Sequence, residues 1–481
     1  MVRPLKVLFL SAEATPLAKV GGLGDVGGEL PRALRHLGLD VRSSLPRYPS
    51  IDLAARTTRA RTKIEILRRG ENIGGVVYRQ RVRGSDILLV DGEPVARDRQ
   101  VYGGGKEEGE KFVFWSLAAL AACQQTGWKP DVVHAHDWHA AAAVSWLAAH
   151  RVEDPFWRTT AAVFTIHNLA YAGAGHEEAW HAYGLPDASR RALPDWARSL
   201  PLVGALTAAD WLTTVSPSYA SEITTPDLGF GLDPMLVERR ASLTGILNGI
   251  DLSLWNPATD RALKARFTTE TLEHRERNKH GLQTELGFAP DLAVPLLAVI
   301  GRLEHQKGID LLLQALAMLL DLPWQVVVLG TGQAELEEMA SSFEQGHSGR
   351  FRFRHSYDPD LARRIYGSAD MVVVPSRYEP CGLVQMIGMR YGCVPVVRAT
   401  GGLRDTVRDH SLGSGTGFVF AEPSPKALAE ALRRAMRLFG EPRSWVQLQR
   451  RAARRDFAWD KPARKYAAVY RRAMRARGAR R

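Results

Sequence analysis

Lys6-Val7-Leu8-Phe9-Leu10-Ser11, followed by Lys19-Val20-Gly21-Gly22-Leu23-Gly24-Asp25-Val26-Gly27-Gly28, is the stretch on which the fold turns. The first run is apolar and too short for a helix, so it reads as a buried strand. Glycines then let the backbone turn sharply and approach a ligand closely, and residues 27–37 have a helical pattern. A helix that opens on such a turn directs unpaired N–H groups at an anion. Lys19, just before Gly21 and Gly22, adds a point charge suited to phosphate. Gly22, Gly24 and Gly27 also satisfy the dinucleotide pattern G-x-G-x-x-G. That fingerprint should follow the strand at once, with an acid ending the next strand to hold a ribose. Here residues 12–21 intervene, and Asp40 precedes its strand. Hydride-transfer chemistry is disfavoured.

The same strand–turn–helix unit recurs outward along the chain. Strands are expected at 131–134, 162–166 and 211–215. After Gly249 the pattern restarts with a strand at 296–300 and a helix at 308–320. Further strands follow at 325–329, 351–355, 371–375 and 394–398. Strands alternating with helices imply parallel sheets covered on both faces. The expected fold is therefore α/β, with two doubly wound Rossmann-like domains at 1–250 and 251–456. A closing helix at about 457–481 is expected to pack back on the first. Ligands of such sheets sit beyond the carboxyl ends of the strands, so the active site is expected in the cleft between domains.

Composition fits this reading. The chain has 481 residues, 45% hydrophobic and 24% charged, which suits two globular cores. Cys123, Cys381 and Cys393 are scattered, which argues against a disulfide framework and for a reducing compartment. The apolar run near the start is too short for a secretory or membrane segment, so a cytoplasmic protein with no membrane partner is expected. The net charge of +12 is concentrated in 450–455 and in the tail 471–481, read as a solvated face and a frayed end. No zinc-finger or aromatic-plus-basic RNA pattern is present, so no nucleic-acid partner is expected.

His134-Ala135-His136-Asp137-Trp138-His139 resembles a metal site, but the H-x-H-x-D-H spacing is short by one residue and no further carboxylates complete a shell. The alternative is histidines at a strand end bonded to backbone carbonyls. Thr165-Ile166-His167-Asn168 ends a neighbouring strand. In the second half, Arg302 and Lys307 lie on one strand-to-helix loop within Gly301-Arg302-Leu303-Glu304-His305-Gln306-Lys307-Gly308. Two cations there suit a diphosphate leaving group. Pro375-Ser376-Arg377-Tyr378-Glu379-Pro380-Cys381-Gly382-Leu383 ends another strand and opens a helix at 382–391, with Glu379 able to accept from sugar hydroxyls.

Taken in order, these segments resemble the glycogen and starch synthases, retaining glycosyltransferases of the two-domain GT-B fold. The resemblance runs from Lys6 to about Asp460. It covers the Lys19–Val26 stretch, His136-Asp137-Trp138-His139, Thr165 to Tyr171 and Thr214-Val215-Ser216-Pro217. It continues through Gly229-Phe230-Gly231-Leu232-Asp233, Gly245 to Asp251 with Trp255-Asn256-Pro257, Gly301 to Gly308, Glu379 to Leu383 and Thr400 to Thr406. It implies transfer of glucose from ADP-glucose to the non-reducing end of an α-1,4-glucan, with no metal or other cofactor. Lys19, Arg302 and Lys307 would hold the diphosphate, with N–H groups near Gly22, Gly382 and Leu383. The His167 carbonyl would face the anomeric centre and Glu379 would stabilise the transferring glucose. Asp137, His139, Asn168 and Asn248 would line the sugar site, with Gly21, Asp25, Gln306, Ser376 and Cys381 in the binding loops. Tyr357 would stack near the base.

The chain departs from the family at several positions. Val384 replaces a threonine, Ala172 and Gly175 replace an amide and an aromatic, and Val203 replaces a lysine. Residues 91–102 lack the usual Asp-Arg-Pro stretch. Ile387 stands where related families carry the second acid of E-x7-E, as in the glycogen synthase branch. Two alternatives stay open: a different nucleotide-sugar or acceptor on the same fold, or a carbohydrate-binding homologue with weakened catalysis.

Overall fold

The computed structural model describes residues 3–51, 58–190 and 192–479. The chain forms two compact units, residues 1–249 with 459–481, and residues 250–458.

The first unit is built on a nine-stranded sheet. Its strands are β1 (Lys6–Leu10), β2 (Asp40–Pro46), β3 (Thr58–Arg68), β4 (Glu71–Val82), β5 (Ser85–Gly92), β6 (Val132–His136), β7 (Ala161–Ile166), β8 (Trp211–Thr214) and β9 (Leu243–Gly245). The order is β3-β4-β5-β2-β1-β6-β7-β8-β9. From β5 to β9 every pair is parallel, and β3 and β4 extend one edge antiparallel. This mixed edge differs from the all-parallel expectation. Its strands alternate buried Ile64 and Ile66 with exposed Lys63 and Glu65, the pattern of a sheet with one wet face.

The central strands are buried throughout because helices cover both faces; Ala161–Ile166 shows no exposed position. The opening helix, Gly22–His36, starts earlier than its periodicity predicts, because the glycines themselves form its first turns. Asp460–Ala479 forms a long final helix whose Ala463, Tyr466, Val469, Tyr470 and Ala473 join Val7, Phe9, Leu30 and Val163 in one core cluster. The frayed end read from its arginines is corrected through Ala479. Arg477 is buried there and donates to the Arg158 carbonyl at 3.2 Å. Residues 480 and 481 lie outside the described residues.

The second unit has a six-stranded, all-parallel sheet: β10 (Leu296–Ile300), β11 (Gln325–Leu329), β12 (Phe351–Arg354), β13 (Met371–Val374), β14 (Val394–Arg398) and β15 (Phe418–Phe420). Their order is β12-β11-β10-β13-β14-β15, the doubly wound arrangement in which the winding reverses between the first and fourth strands. In the first unit the same reversal falls between β1 and β6. Crossovers leave in opposite directions at such a point, so the loops after those strands diverge and open a crevice. These loops carry Lys19, Asp137, Arg302, Lys307 and Glu379, while His167 and Asn168 follow β7, Asn248 follows β9 and Tyr357 follows β12.

Candidate active site

The loop after β1 is organised by Glu13, a carboxylate only 2% exposed. Its Oε2 accepts the N–H groups of Val20 at 2.6 Å and Gly21 at 2.8 Å, and its Oε1 accepts the Tyr102 hydroxyl at 2.6 Å. The Gly21 N–H is therefore turned inward. The first-turn N–H groups of the helix, those of Gly22 and Leu23, have no intrahelical acceptor and are the ones left for an anion. The glycine spacing follows from packing of the loop on the helix. A Cβ on Gly27 would lie 2.1 Å from the Glu13 carbonyl oxygen, and one on Gly28 would lie 2.2 Å from Thr15 Oγ1. Lys19 Nζ pairs with Asp25 Oδ1 at 2.7 Å, both partly exposed.

Asp137 follows β6 directly and takes a left-handed conformation, φ 55°. Its Oδ1 accepts the His167 N–H at 2.7 Å, which ties the ends of β6 and β7 together. Burial pushes its carboxyl up to about 7, against the pull of N–H donors from His167 and Asn168. His136 Nδ1 lies 2.9 Å from His167 Nε2, so one ring donates to the other. Burial lowers the His167 imidazole to about 3, and burial, His134 and His167 hold His136 well below its usual value. All three rings are neutral near pH 7. His134 contacts Tyr470 Oη at 2.9 Å and Thr165 Oγ1 at 2.7 Å, which are side-chain partners and not the backbone carbonyls expected for this cluster.

His139 is buried against Tyr102, Phe112 and Trp138, with its Nδ1 lacking a hydrogen-bond partner among the described residues. Asn248, after β9, is also buried and its Oδ1 is without one. Buried polar atoms are normally satisfied, so these two stand out among the described residues. Asn168 is half-buried and caps its own turn, its Oδ1 accepting the Ala170 N–H at 3.2 Å.

In the second unit the loops after β10 and β13 are stapled together. The Arg377 N–H donates to the Gln306 carbonyl at 2.8 Å, Gln306 Nε2 donates to the Tyr378 carbonyl at 3.0 Å, and the Arg377 guanidinium forks onto Asp310 at 2.9 and 2.6 Å. Across this staple Lys307 Nζ meets Glu379 Oε2 at 2.7 Å, and Ser376 Oγ donates to the same oxygen at 3.0 Å. Gly382, at φ 72°, leads to Leu383, which caps the helix Val384–Arg390, shorter than 382–391. Cys381 is buried, and its carbonyl accepts from Gln385 Nε2 at 3.2 Å.

Two singled-out residues stand apart from this cluster. Arg302 is half exposed and pairs with Glu304 at 2.6 Å instead of Glu379. Tyr357 is 73% exposed, in the loop after β12. Sequence reasoning missed Glu13, Tyr102 and the Asp310–Arg377 clamp. Arg377 lies within the quoted 375–383 motif and Asp310 just past the 301–308 one, but nothing in their spacing marks them as partners. Among the described residues no group of three or more His, Cys, Asp or Glu is placed to hold a metal ion, and no helix is long and apolar enough to cross a membrane.

Residues 6–238 match the family described as the starch synthase catalytic domain, and residues 289–451 match glycosyl transferases group 1. A glycogen synthase of Anaeromyxobacter sp. (strain Fw109-5) is 42% identical over 97% of this chain and 99% of its own length. One from Syntrophotalea carbinolica is 38% identical over 98% and 99%. The chain belongs to the glycogen and starch synthase family. Among solved structures, the catalytic domain of starch synthase IV from Arabidopsis thaliana, bound to ADP and acarbose, superposes with a TM-score of 0.89 at 32% identity, covering 98% of this chain and 100% of that one. As a glycogen and starch synthase family member the protein is an enzyme, a glycosyltransferase, and its two α/β units are those of the GT-B fold.

Proposed function

We propose that the protein transfers glucose from ADP-glucose to the non-reducing end of an α-1,4-glucan, with retention of configuration and without a metal ion. The observation that carries this is the Lys307–Glu379–Ser376 cluster at the winding reversal of the second unit. A cation held by an acid at 2.7 Å, on loops fixed by the Arg377 clamp, supports a site built for a diphosphate beside a sugar. In the reaction the bond from glucose C1 to the diphosphate oxygen breaks and a bond from C1 to the acceptor O4 forms. The O4 proton passes to the departing diphosphate. Charge developing on that diphosphate is met by Lys307, Arg302 and Lys19, with N–H groups of Gly22, Leu23, Gly382 and Leu383, which takes the part a magnesium ion plays elsewhere.

Charge at C1 faces the His167 carbonyl. The neutral His167 ring supports this, since an imidazolium there would oppose an oxocarbenium. Glu379 stabilises the transferring glucose, and Asp137, His139, Asn168 and Asn248 take its hydroxyls. The unpaired atoms of His139 and Asn248 support that assignment. Gly21, Asp25, Gln306, Ser376 and Cys381 shape the binding loops, and Tyr357 stacks on the base. That the Arabidopsis neighbour holds ADP and acarbose supports both the nucleotide and the glucan. Cytoplasmic placement and the absence of a nucleic-acid partner belong to this same reading.

The test is a screen of ADP-, UDP- and GDP-glucose against glycogen, maltooligosaccharides and non-glucan acceptors, with and without EDTA. ADP release only from ADP-glucose plus a glucan, unaffected by EDTA, is the expected result. Lys307→Ala should lose about ten- to hundred-fold in kcat/KM, the effect of removing a charge-assisted phosphate contact. An unimpaired Lys307→Ala enzyme would refute the leaving-group assignment.

A further inference from the structure

The most completely satisfied buried acid near the first half of the site is one the mechanism above does not use. Glu13 has no exposed face for substrate, yet both its oxygens are committed. One draws in the N–H groups of Val20 and Gly21, the two residues after Lys19, and the other receives the Tyr102 hydroxyl. Its own backbone carbonyl and Thr15 press on Gly27 and Gly28 of the helix, and the Thr15 N–H donates to the Gly24 carbonyl at 2.9 Å. Tyr102 is fixed in turn. Lys111, fully buried, reaches Asp98 at 2.6 Å and the carbonyls of Gln100 at 2.8 Å and Val101 at 3.0 Å, pinning the segment that delivers the tyrosine.

We infer that Glu13 is a positioning residue for donor binding: it folds the 19–21 turn so that Lys19 and the first-turn N–H groups of the helix point to the phosphates, and Tyr102 holds Glu13 in that orientation. This rests on the reading of Lys19 as a phosphate ligand. Hydrogen bonds from two consecutive N–H groups to one oxygen fix the direction of the chain at 20–21; Gly21 itself is extended, φ −134°, so the carboxylate and not the glycine sets that direction. Without that acceptor, Val20 and Gly21 would seek water, and the lysine beside them would lose its fixed direction. Reach carries the role, and charge does not. A glutamine can accept both N–H bonds on its amide oxygen and donate to the Tyr102 oxygen, whereas an aspartate keeps the charge but falls one methylene short.

Glu13→Asp, Glu13→Gln, Lys19→Ala and the Glu13→Asp/Lys19→Ala double variant are compared in steady-state assays with ADP-glucose and glycogen, each first shown to be folded by circular dichroism and thermal melting. Glu13→Asp should raise the KM for ADP-glucose by about tenfold or more while the glycogen KM moves by less than about twofold, and Glu13→Gln should raise it by less than about threefold. In the double variant the Glu13→Asp penalty should shrink to within about twofold of Lys19→Ala alone, because both changes act on one contact. Losses that multiply, a glutamine variant worse than the aspartate one, or equal rises in both KM values would overturn the inference. A Lys19→Ala enzyme with normal donor KM would instead sink the phosphate reading beneath it. If Glu13→Asp does not fold, Tyr102→Phe, which removes only the donor to Glu13, replaces it and must show the same donor-specific rise.

Discussion

Burial moves the ionisable groups at the ends of β6 and β7 in opposite directions. The Asp137 carboxyl rises to about 7, while His134 and His167 fall to about 3. An unfolded Asp titrates near about 4 and an unfolded His near about 6.5. Between those limits the native state holds more protons at Asp137 than the unfolded chain does, so this group lowers stability as pH rises through the window and its penalty is complete above about 7. The buried histidines act with the opposite sign: the unfolded chain takes up protons below about 6.5 that the native state refuses, so stability falls on acidification. His134, His136, His139 and His167 outnumber the single carboxyl, and the melting temperature of the wild type should drop from pH 7 to pH 5. Asp137→Asn removes the opposing term. Its melting temperature relative to wild type should rise between pH 5 and about pH 7 and level off above that, and a gap that stays constant from pH 5 to 7 would contradict the buried-carboxyl account. At this scale the sequence was informative about ligand chemistry. Lys19 with Asp25 and Lys307 with Glu379 were singled out separately and are paired. Glu13 was not legible, because an acid three residues past a strand looks like any solvated loop residue until its backbone partners are known.

Among elements, the parallel strands could be read closely from their unbroken apolar runs; β10, β11 and β14 begin and end where expected. The antiparallel pair β3 and β4 could not. Its wet face is rich in arginine, lysine and glutamate, and a long polar alternation is indistinguishable from a solvated segment until it finds an edge to pair with. The glycines of the first turn show how one pattern serves two purposes. Their spacing imitates a dinucleotide fingerprint, but Lys19 and Glu13 lie where a side chain on Gly24 would be, and Glu13 and Ser11 where one on Gly27 would be. Gly27→Ala would drive a methyl group into the Glu13 carbonyl, and a destabilisation of about 1–3 kcal/mol is expected from chemical denaturation. Gly74→Ala, with nothing within 4 Å of its added carbon, should stay within about 0.5 kcal/mol. Equal effects of the two would show that packing on the helix is not what these glycines provide.

For the whole molecule, alternation of strands and helices is enough to imply two wound units, but strand order is not written in any local pattern. That order places the loops after β1 and β6, and those after β10 and β13, at the winding reversals, and so gathers residues that lie far apart in the chain. The final helix illustrates the same limit. Its arginines suggest a loose tail, and only the tertiary structure shows Tyr466 and Tyr470 filling the core beneath β1 and β7, with Tyr470 reaching His134. The central claim is glucosyl transfer with retained configuration, and the most direct measurement is NMR of the product made from ADP-glucose labelled with carbon-13 at C1 and a maltooligosaccharide acceptor. The account predicts that the label appears in an α-1,4-linked residue at the non-reducing end, with one ADP released for each glucose added. Label found in a β-linked product, in free glucose, or left wholly in the donor would contradict it.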